Sequence, residues 1–81
     1  MKLRRSAHFD RNYQKAPRRI QVAFDTQAAL LLQNLRHPSL RAKKYDESQG
    51  IWQARITLDW RFYFTIDGNT YYLVSMQAHP K

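Results

Sequence analysis

Closely spaced cationic side chains are the feature of this 81-residue sequence that could do chemistry. Four of them fall within nine residues that contain no acidic residue: Arg36, Arg41, Lys43 and Lys44. Arg55 and Arg61 follow in the two segments after that run. Guanidinium and ammonium groups combine a positive charge with several hydrogen-bond donors, which suits phosphate oxygens. The pattern predicts a polyanion site, although each cation by itself could equally be a solvated sheet edge that discourages aggregation.

The segment Ile51–Gly68, IWQARITLDWRFYFTIDG, alternates apolar and polar residues along two runs. Gln53 and Arg55 are two positions apart, so in a strand they point to the same side. Arg61 joins them only if the turn between the runs sets a register in which Phe62 faces the core. We predict this register, with Gln53, Arg55 and Arg61 on one polar face of a sheet.

The same residues, together with a histidine, could cleave RNA without a metal. That reaction needs a base for the 2′-hydroxyl proton, cations for the charge that develops on phosphorus, and an acid for the leaving 5′-oxygen. His79 can exchange a proton near neutral pH. Arg55 and Arg61 can stabilise the developing charge, and Asp59 could orient His79 or bind a base edge. The alternative is that His79 is a frayed residue near the end of the chain.

Three further residues complete the predicted RNA-binding set alongside the basic run: Gln53, Trp60 and Lys81. Trp60 has two open readings, because its ring could either cover the core or stack on a base.

Composition favours a nucleic acid as partner and excludes several other kinds of site. Fourteen Lys and Arg against six Asp and Glu give a net charge of +8, and a basic surface attracts polyanions. An acidic protein partner is the alternative. The chain has no cysteine and its three histidines are far apart, so we predict no metal and no cofactor.

Length and hydropathy indicate one domain, residues 1–81, without a membrane segment. A chain of this size has room for a single thin core. The N-terminus MKLRRSAHFD lacks the apolar stretch of a signal peptide, and no apolar run approaches the ~20 residues that cross a bilayer. We therefore expect a soluble, cytoplasmic protein.

Two helices are predicted in the N-terminal half, after a short edge strand at Met1–Arg5. Ser6 is a suitable N-cap for the first helix, and Pro17 marks its end. Apolar residues then recur at helical spacing up to Leu35. The inward stripe of this second helix is Ile20, Phe24, Gln27/Ala28, Leu31 and Leu35.

Strand-like alternation follows in the C-terminal half. The predicted strands are Leu40–Tyr45, Ile51–Leu58, Trp60–Ile66 and Thr70–Met76. Their core-facing sets are Trp52, Ala54, Ile56 and Leu58, then Phe62, Phe64 and Ile66, then Tyr71, Leu73 and Ser75. Two helices followed by an antiparallel meander predict an α+β domain with both helices on one face of the sheet.

The order of segments resembles the RelE/ParE superfamily of bacterial toxins over nearly the whole chain. Two helices precede HPSLRAKKY, GIWQARI, DWRFYF, IDG and a last strand that leads to His79. The resemblance implies a RelE-like fold, in which an N-terminal helical hairpin packs on a small antiparallel sheet that carries the site on its concave face. The short C-terminal segment of the family has no counterpart after His79, so we expect the final helix to be absent.

The resemblance also implies roles for individual residues. Gln53 and Arg55 match two strand positions that are basic in RelE-type toxins, and Arg61 matches a strand arginine of that pattern. The pair Asp59-Trp60 resembles the same pair in YafQ-like members, and His79 falls where that branch has a catalytic histidine. The catalytic set implied is therefore Arg55, Arg61, His79 and Asp59.

Two functions follow as expectations from this resemblance. RelE-type members are ribosome-dependent endoribonucleases that cut mRNA in the A site and are neutralised by a co-expressed acidic antitoxin. The expected partners are then the ribosome, mRNA and a cognate antitoxin. The alternative is a ParE-like gyrase inhibitor, or a catalytically weak member that only binds RNA or its antitoxin.

Overall fold

The computed structural model describes residues 1–79, which form five strands and two helices. In chain order these are β1 (Lys2–Arg5), α1 (Ala7–Lys15), α2 (Arg18–Gln33), β2 (Lys43–Asp46), β3 (Ile51–Thr57), β4 (Trp60–Asp67) and β5 (Thr70–Ala78). A 3₁₀ turn at Pro38–Leu40 connects α2 to β2. The predicted α+β class is confirmed. The predicted absence of a final helix concerns positions after His79, which lie outside the described residues.

The strands form one sheet in the order β1-β5-β4-β3-β2. Strands β2 to β5 are antiparallel neighbours, as predicted. The prediction of a wholly antiparallel sheet is wrong at one edge, where β1 pairs with β5 in parallel, Lys2 opposite Thr70. Between these two strands the chain passes through both helices and the meander, and a parallel pair requires such a long crossover.

The helices begin and end close to the predicted positions. Ser6 Oγ accepts a hydrogen bond of 2.9 Å from a first-turn amide, which makes it the N-cap of α1. Ala16 has an extended backbone before Pro17, so α1 and α2 are separate helices. α2 ends at Gln33 rather than at Leu35, because the chain becomes extended at the next residue.

Aromatic rings from α2 and the sheet build the core. Phe24 lies edge-on to Phe62 at 5.2 Å between ring centroids, and Phe62 lies 5.6 Å from Phe64. Both sheet phenylalanines are fully buried, which confirms the predicted register of β4. Two predicted core residues are exposed instead: Leu58 (72%) lies in the β3–β4 turn, and Ile66 (36%) lies near the end of β4.

The segment between α2 and β3 differs from its prediction. The predicted strand Leu40–Tyr45 begins only at Lys43 and ends at Asp46. Leu40 belongs to the 3₁₀ turn and is fully buried, so its side chain fixes the turn in the core before the strand can start. Arg41 follows with φ of 47°, a left-handed conformation that few residues other than glycine adopt.

A β-bulge in β5 changes which residues face the helices. Tyr63 pairs with Ser75 and Phe64 pairs with Leu73, so Val74 is an extra residue in β5. The prediction that Ser75 shares the core face with Leu73 is wrong for this reason. Ser75 lies on the side of the sheet opposite the helices, which we call the open face.

Two side chains from the first helical segment satisfy the backbone at the bulge. Ser6 Oγ donates a hydrogen bond of 3.0 Å to the carbonyl of Val74. Asn12 Oδ1 accepts a hydrogen bond of 3.1 Å from the amide of Met76. Because bulges leave ladder groups unpaired, these contacts stabilise the irregular strand and fix what the open face presents.

Candidate functional site

A basic groove lies on the open face and has a volume of about 250 Å³. Its lining comes from the β2 region, β3 and β4: Arg41, Lys43, Gln53, Arg55 and Arg61. The register explains the grouping, because Lys43 pairs with Gln53, and Arg55 pairs with Arg61. The prediction that Gln53, Arg55 and Arg61 share one polar sheet face is confirmed.

Arg55 and Arg61 are directly opposite each other on neighbouring strands. A like-charge pair in this position is unfavourable. Partial burial of Arg55, and then the charges of Arg41 and Arg61, lower the pKa of its guanidinium. Arg55 Nε is buried without a hydrogen-bond partner in the described part of the chain. A bound anion would therefore stabilise this site, because it would offset the repulsion between the arginines.

Arg61 has a structural contact as well as a place in the groove. Its Nη1 donates hydrogen bonds to the carbonyls of Thr57 (2.9 Å), Leu58 (3.2 Å) and Trp60 (3.0 Å). These carbonyls belong to the β3–β4 turn and its flanks, so the guanidinium holds the turn together. Replacement of Arg61 would therefore affect stability in addition to any effect on anion binding.

Gln27 is a buried polar residue of α2 that connects the helix to the groove. Its Nε2 donates to the carbonyls of Ser39 (3.2 Å) and Arg55 (2.9 Å). Its Oε1 accepts a hydrogen bond of 3.0 Å from Ser39 Oγ. The sequence places Gln27 in the apolar stripe of the second helix. A polar residue at such a position is the signal that could have identified Gln27 as a buried contact residue. Its contacts hold both β3 and the turn before Arg41 in position.

We expect Gln27→Leu to lower the free energy of unfolding by about 1–3 kcal/mol, because three part-buried hydrogen bonds to Ser39 and Arg55 are lost. Gln33→Leu is the matched control, since Gln33 is exposed at the end of the same helix. Urea unfolding of both variants measures the difference. Equal stability of the two variants would show that the Gln27 contacts contribute nothing.

Three predicted RNA-binding residues lie outside the groove. Lys44 alternates to the other side of β2, where its Nζ is 5.3 Å from the centroid of the Trp52 ring. Arg36 is exposed in the connection after α2. Trp60 packs against the core cluster, which favours the covering role over base stacking. Lys81 lies outside the described residues.

His79 and Asp59 meet at the end of the sheet beside the β3–β4 turn. The amide of His79 donates a hydrogen bond of 2.6 Å to the carbonyl of Asp59, next to the pair Trp60–Ala78. The His79 side chain is exposed and is not part of the groove lining. Gln77, two residues earlier in β5, pairs with Arg61 of the groove. The backbone of His79 therefore lies near the end of β4 that carries Arg61.

An aromatic depression adjoins the groove on the same face and has a volume of about 150 Å³. Its lining is Tyr45, Ile51, Tyr63, Val74, Ser75 and Gln77. Tyr63 is predicted on the open face, and it is there, although it is only 8% exposed. Tyr45 covers it with the ring centroids 5.0 Å apart. Tyr45 was not singled out by its sequence pattern, because only the tertiary pairing brings it to Tyr63.

Residues 1–79 contain no cluster of three or more His, Cys, Asp and Glu side chains that could hold a metal ion. In the same range, neither helix is both long enough and apolar enough to cross a membrane.

No protein-family model and no curated protein matches the sequence. The structure is similar to the YoeB/ParE toxin from Agrobacterium tumefaciens, with a TM-score of 0.81 at 17% identity over 99% of this chain and 100% of that one. YafQ from E. coli gives a TM-score of 0.78 at 17% identity, over 94% of this chain and 90% of that one. The RelBE2 toxin–antitoxin complex from Mycobacterium tuberculosis gives a TM-score of 0.76 at 22% identity, over 96% of each chain. The fold implied by the resemblance to RelE/ParE toxins is thereby confirmed.

Proposed function

Since the chain has the fold of the RelE/ParE toxins, we propose that it is the toxin of a type II toxin–antitoxin pair and an endoribonuclease that cleaves ribosome-bound mRNA. The observation that carries the proposal is the basic groove. Two arginines face each other there, and the lining residues, all within the described range, include no carboxylate. Such a site favours a phosphate, whose negative charge reduces the repulsion between the two arginines.

The groove supports charge stabilisation during metal-free attack of a 2′-hydroxyl on the neighbouring phosphate. In this reaction the 2′-oxygen bonds to phosphorus, the bond to the 5′-oxygen breaks, and a cyclic phosphate forms. Arg55 and Arg61 would bind the phosphate oxygens as negative charge accumulates on them. Arg41 and Lys43 would hold the adjacent backbone, and Gln53 would contribute amide hydrogen bonds.

His79 is the residue proposed to transfer protons, as base for the 2′-hydroxyl or as acid for the leaving 5′-oxygen. An imidazole can do either near neutral pH. Its backbone bond to Asp59 holds it beside the β3–β4 turn, close to Arg61 in β4. The side chain of His79 is exposed, so it is accessible to an RNA bound in the groove.

The proposed partners are a cognate acidic antitoxin, the ribosome and mRNA. Solved structures with this fold include the DinJ–YafQ and YoeB–YefM complexes. In this chain, a net charge of +8 and a groove lined by cations provide a surface that an acidic segment could neutralise. The proposed location is cytoplasmic, where ribosomes are found.

Cleavage of a defined mRNA by the purified protein, with and without ribosomes, tests the proposal. We expect cuts that require ribosomes and proceed in the presence of EDTA once the ribosomes are stabilised by polyamine. A gyrase supercoiling assay runs in parallel. Trapped DNA breaks without mRNA cleavage would support the ParE-like alternative, and RNA binding without cleavage would support a catalytically weak member.

Salt dependence should separate groove cations from the other basic residues. If the four groove cations each contact one phosphate, a slope of about −0.7 per contact gives ~−2.8 for log affinity against log salt, or ~50-fold weaker RNA binding between 50 and 200 mM. The double variant Arg41→Ala/Lys43→Ala should reduce the slope to about −1.4. Fluorescence anisotropy with a single-stranded RNA measures both values.

The matched control is Arg36→Ala/Lys44→Ala, which removes the same charge outside the groove. We expect this variant to retain the wild-type slope. If both double variants reduced the salt slope equally, the assignment of RNA binding to the groove would be wrong.

A further inference from the structure

We propose that the aromatic depression is a nucleobase subsite, in which Tyr45 stacks on a base whose phosphate lies in the basic groove. The inference rests on the proposed RNA substrate and identifies a further binding residue for it. The depression and the groove are adjacent, because Gln53 of the groove pairs with Tyr63, and Arg61 pairs with Gln77. Two residues along a strand span about 6.5–7 Å, comparable to the reach from a nucleotide's phosphate to its base.

Two β-bulges create this depression. The pairing of β2 with β3 shifts between Lys44 and Asp46, so Tyr45 is the extra residue. The bulge at Val74 similarly places Ser75 and Gln77 on the open face. Bulges re-aim side chains and are common next to active sites. Both irregularities here direct polar or aromatic groups into the same 150 Å³ space.

The exposure of the two tyrosines fits a stacking platform. Tyr63 is 8% exposed and contacts the ring of Tyr45, a residue that is 61% exposed. A buried ring beneath an exposed one limits the motion of the outer ring without covering its free surface. An exposed aromatic ring has a hydrophobic cost in water that a stacked base would remove.

The size and polarity of the depression favour one base over other ligands. Its volume of about 150 Å³ is below the ~300–1,000 Å³ of sites for drug-sized ligands, so a single ring fits better than a whole cofactor. Ser75 and Gln77 add a hydroxyl and an amide to the lining, which can hydrogen-bond to a base edge. The neighbouring arginines favour a ligand that carries phosphate over an apolar side chain of a protein partner.

The test measures binding of a single-stranded RNA hexamer to the full chain by fluorescence anisotropy. Tyr45→Ala should weaken binding about 5- to 150-fold, the range for loss of one stacked base, without changing the salt slope. Tyr45→Phe should keep most of the affinity, because stacking requires the ring and not the hydroxyl. Tyr72→Ala is the matched control, since Tyr72 is a 42% exposed tyrosine of β5 that pairs with Thr65 and does not line the depression.

Hexamers with an abasic ribose at each position in turn complete the experiment. One abasic position should weaken binding to the wild type by the same factor as Tyr45→Ala, and should have no further effect on that variant. If the wild type binds the hexamer through the groove and Tyr45→Ala binds it equally well, the base subsite is wrong while the proposed function stands. If the wild type binds no RNA, both are overturned.

Discussion

Arg55→Ala should reduce mRNA cleavage by about 10²–10³-fold, the loss expected when one preorganised charge-stabilising donor is removed. Arg55 is the better test residue of the opposed pair, because Arg61 also holds the β3–β4 turn through three carbonyl contacts. Arg55 Nε, by contrast, has no hydrogen-bond partner in the described range. The fold should therefore tolerate its loss, and removal of the like charge opposite Arg61 should leave the free energy of unfolding unchanged or higher.

Cleavage of ribosome-bound mRNA and urea unfolding, measured on the same preparations, check both parts of this expectation. Arg36→Ala is the control for net charge, since Arg36 is exposed and outside the groove. Arg55→Lys should fall between wild type and alanine, because lysine keeps the charge but loses the two-pronged donor geometry. Cleavage by Arg55→Ala at the wild-type rate would remove Arg55 from the site.

His79→Ala should reduce cleavage by about 10²–10⁴-fold, the usual contribution of a general acid or base. Binding of RNA should remain at the wild-type level, because the groove lining does not include His79. This separation of catalysis from binding distinguishes an enzyme from a binding protein of the same fold. Single-turnover cleavage rates and equilibrium binding, measured on the same variant, give the two quantities.

The control is His8→Ala, which removes an exposed histidine from α1. It should cleave and bind as the wild type does. If His79→Ala retains full cleavage, the proton-transfer group lies elsewhere on the open face, and the catalytic assignment of His79 is wrong. A parallel loss of RNA binding would instead indicate that His79 contributes to affinity.

The contacts of Arg61 change what we expect of its replacement by alanine. Strand alternation alone suggests that Arg61→Ala would leave the fold intact, as a surface charge usually does. The three carbonyl contacts predict reduced stability as well as reduced activity. Loss of cleavage in the Arg61 variant would therefore have two explanations, whereas loss in the Arg55 variant would have one.

Features that depend on local periodicity follow from the residue order alone. Ser6 as a cap, Pro17 as a boundary and the alternation of Gln53 with Arg55 are local patterns that leave little choice to the chain. The same alternation predicts that Arg61 joins them once Phe62 is buried, because a shift of one residue would expose the whole apolar set of β4. These features were sufficient to predict the α+β class and the centre of the groove.

Features that depend on irregular strand pairing are visible only in the folded chain. Bulges at Tyr45 and Val74 shift the register by one residue, and nothing in their own residue types marks them. Ser75 therefore faces the groove side rather than the core, and Tyr45 meets Tyr63.

The basic run illustrates the same limit on sequence prediction. Charge composition groups Arg41 and Lys43 with Arg36 and Lys44, but the backbone separates them. The left-handed conformation of Arg41 and the pairing of Lys43 with Gln53 bring two of the four cations into the groove. Lys44 falls on the opposite face because neighbouring strand residues alternate. Sequence proximity determines how much charge is available, and the chain's path determines where that charge acts.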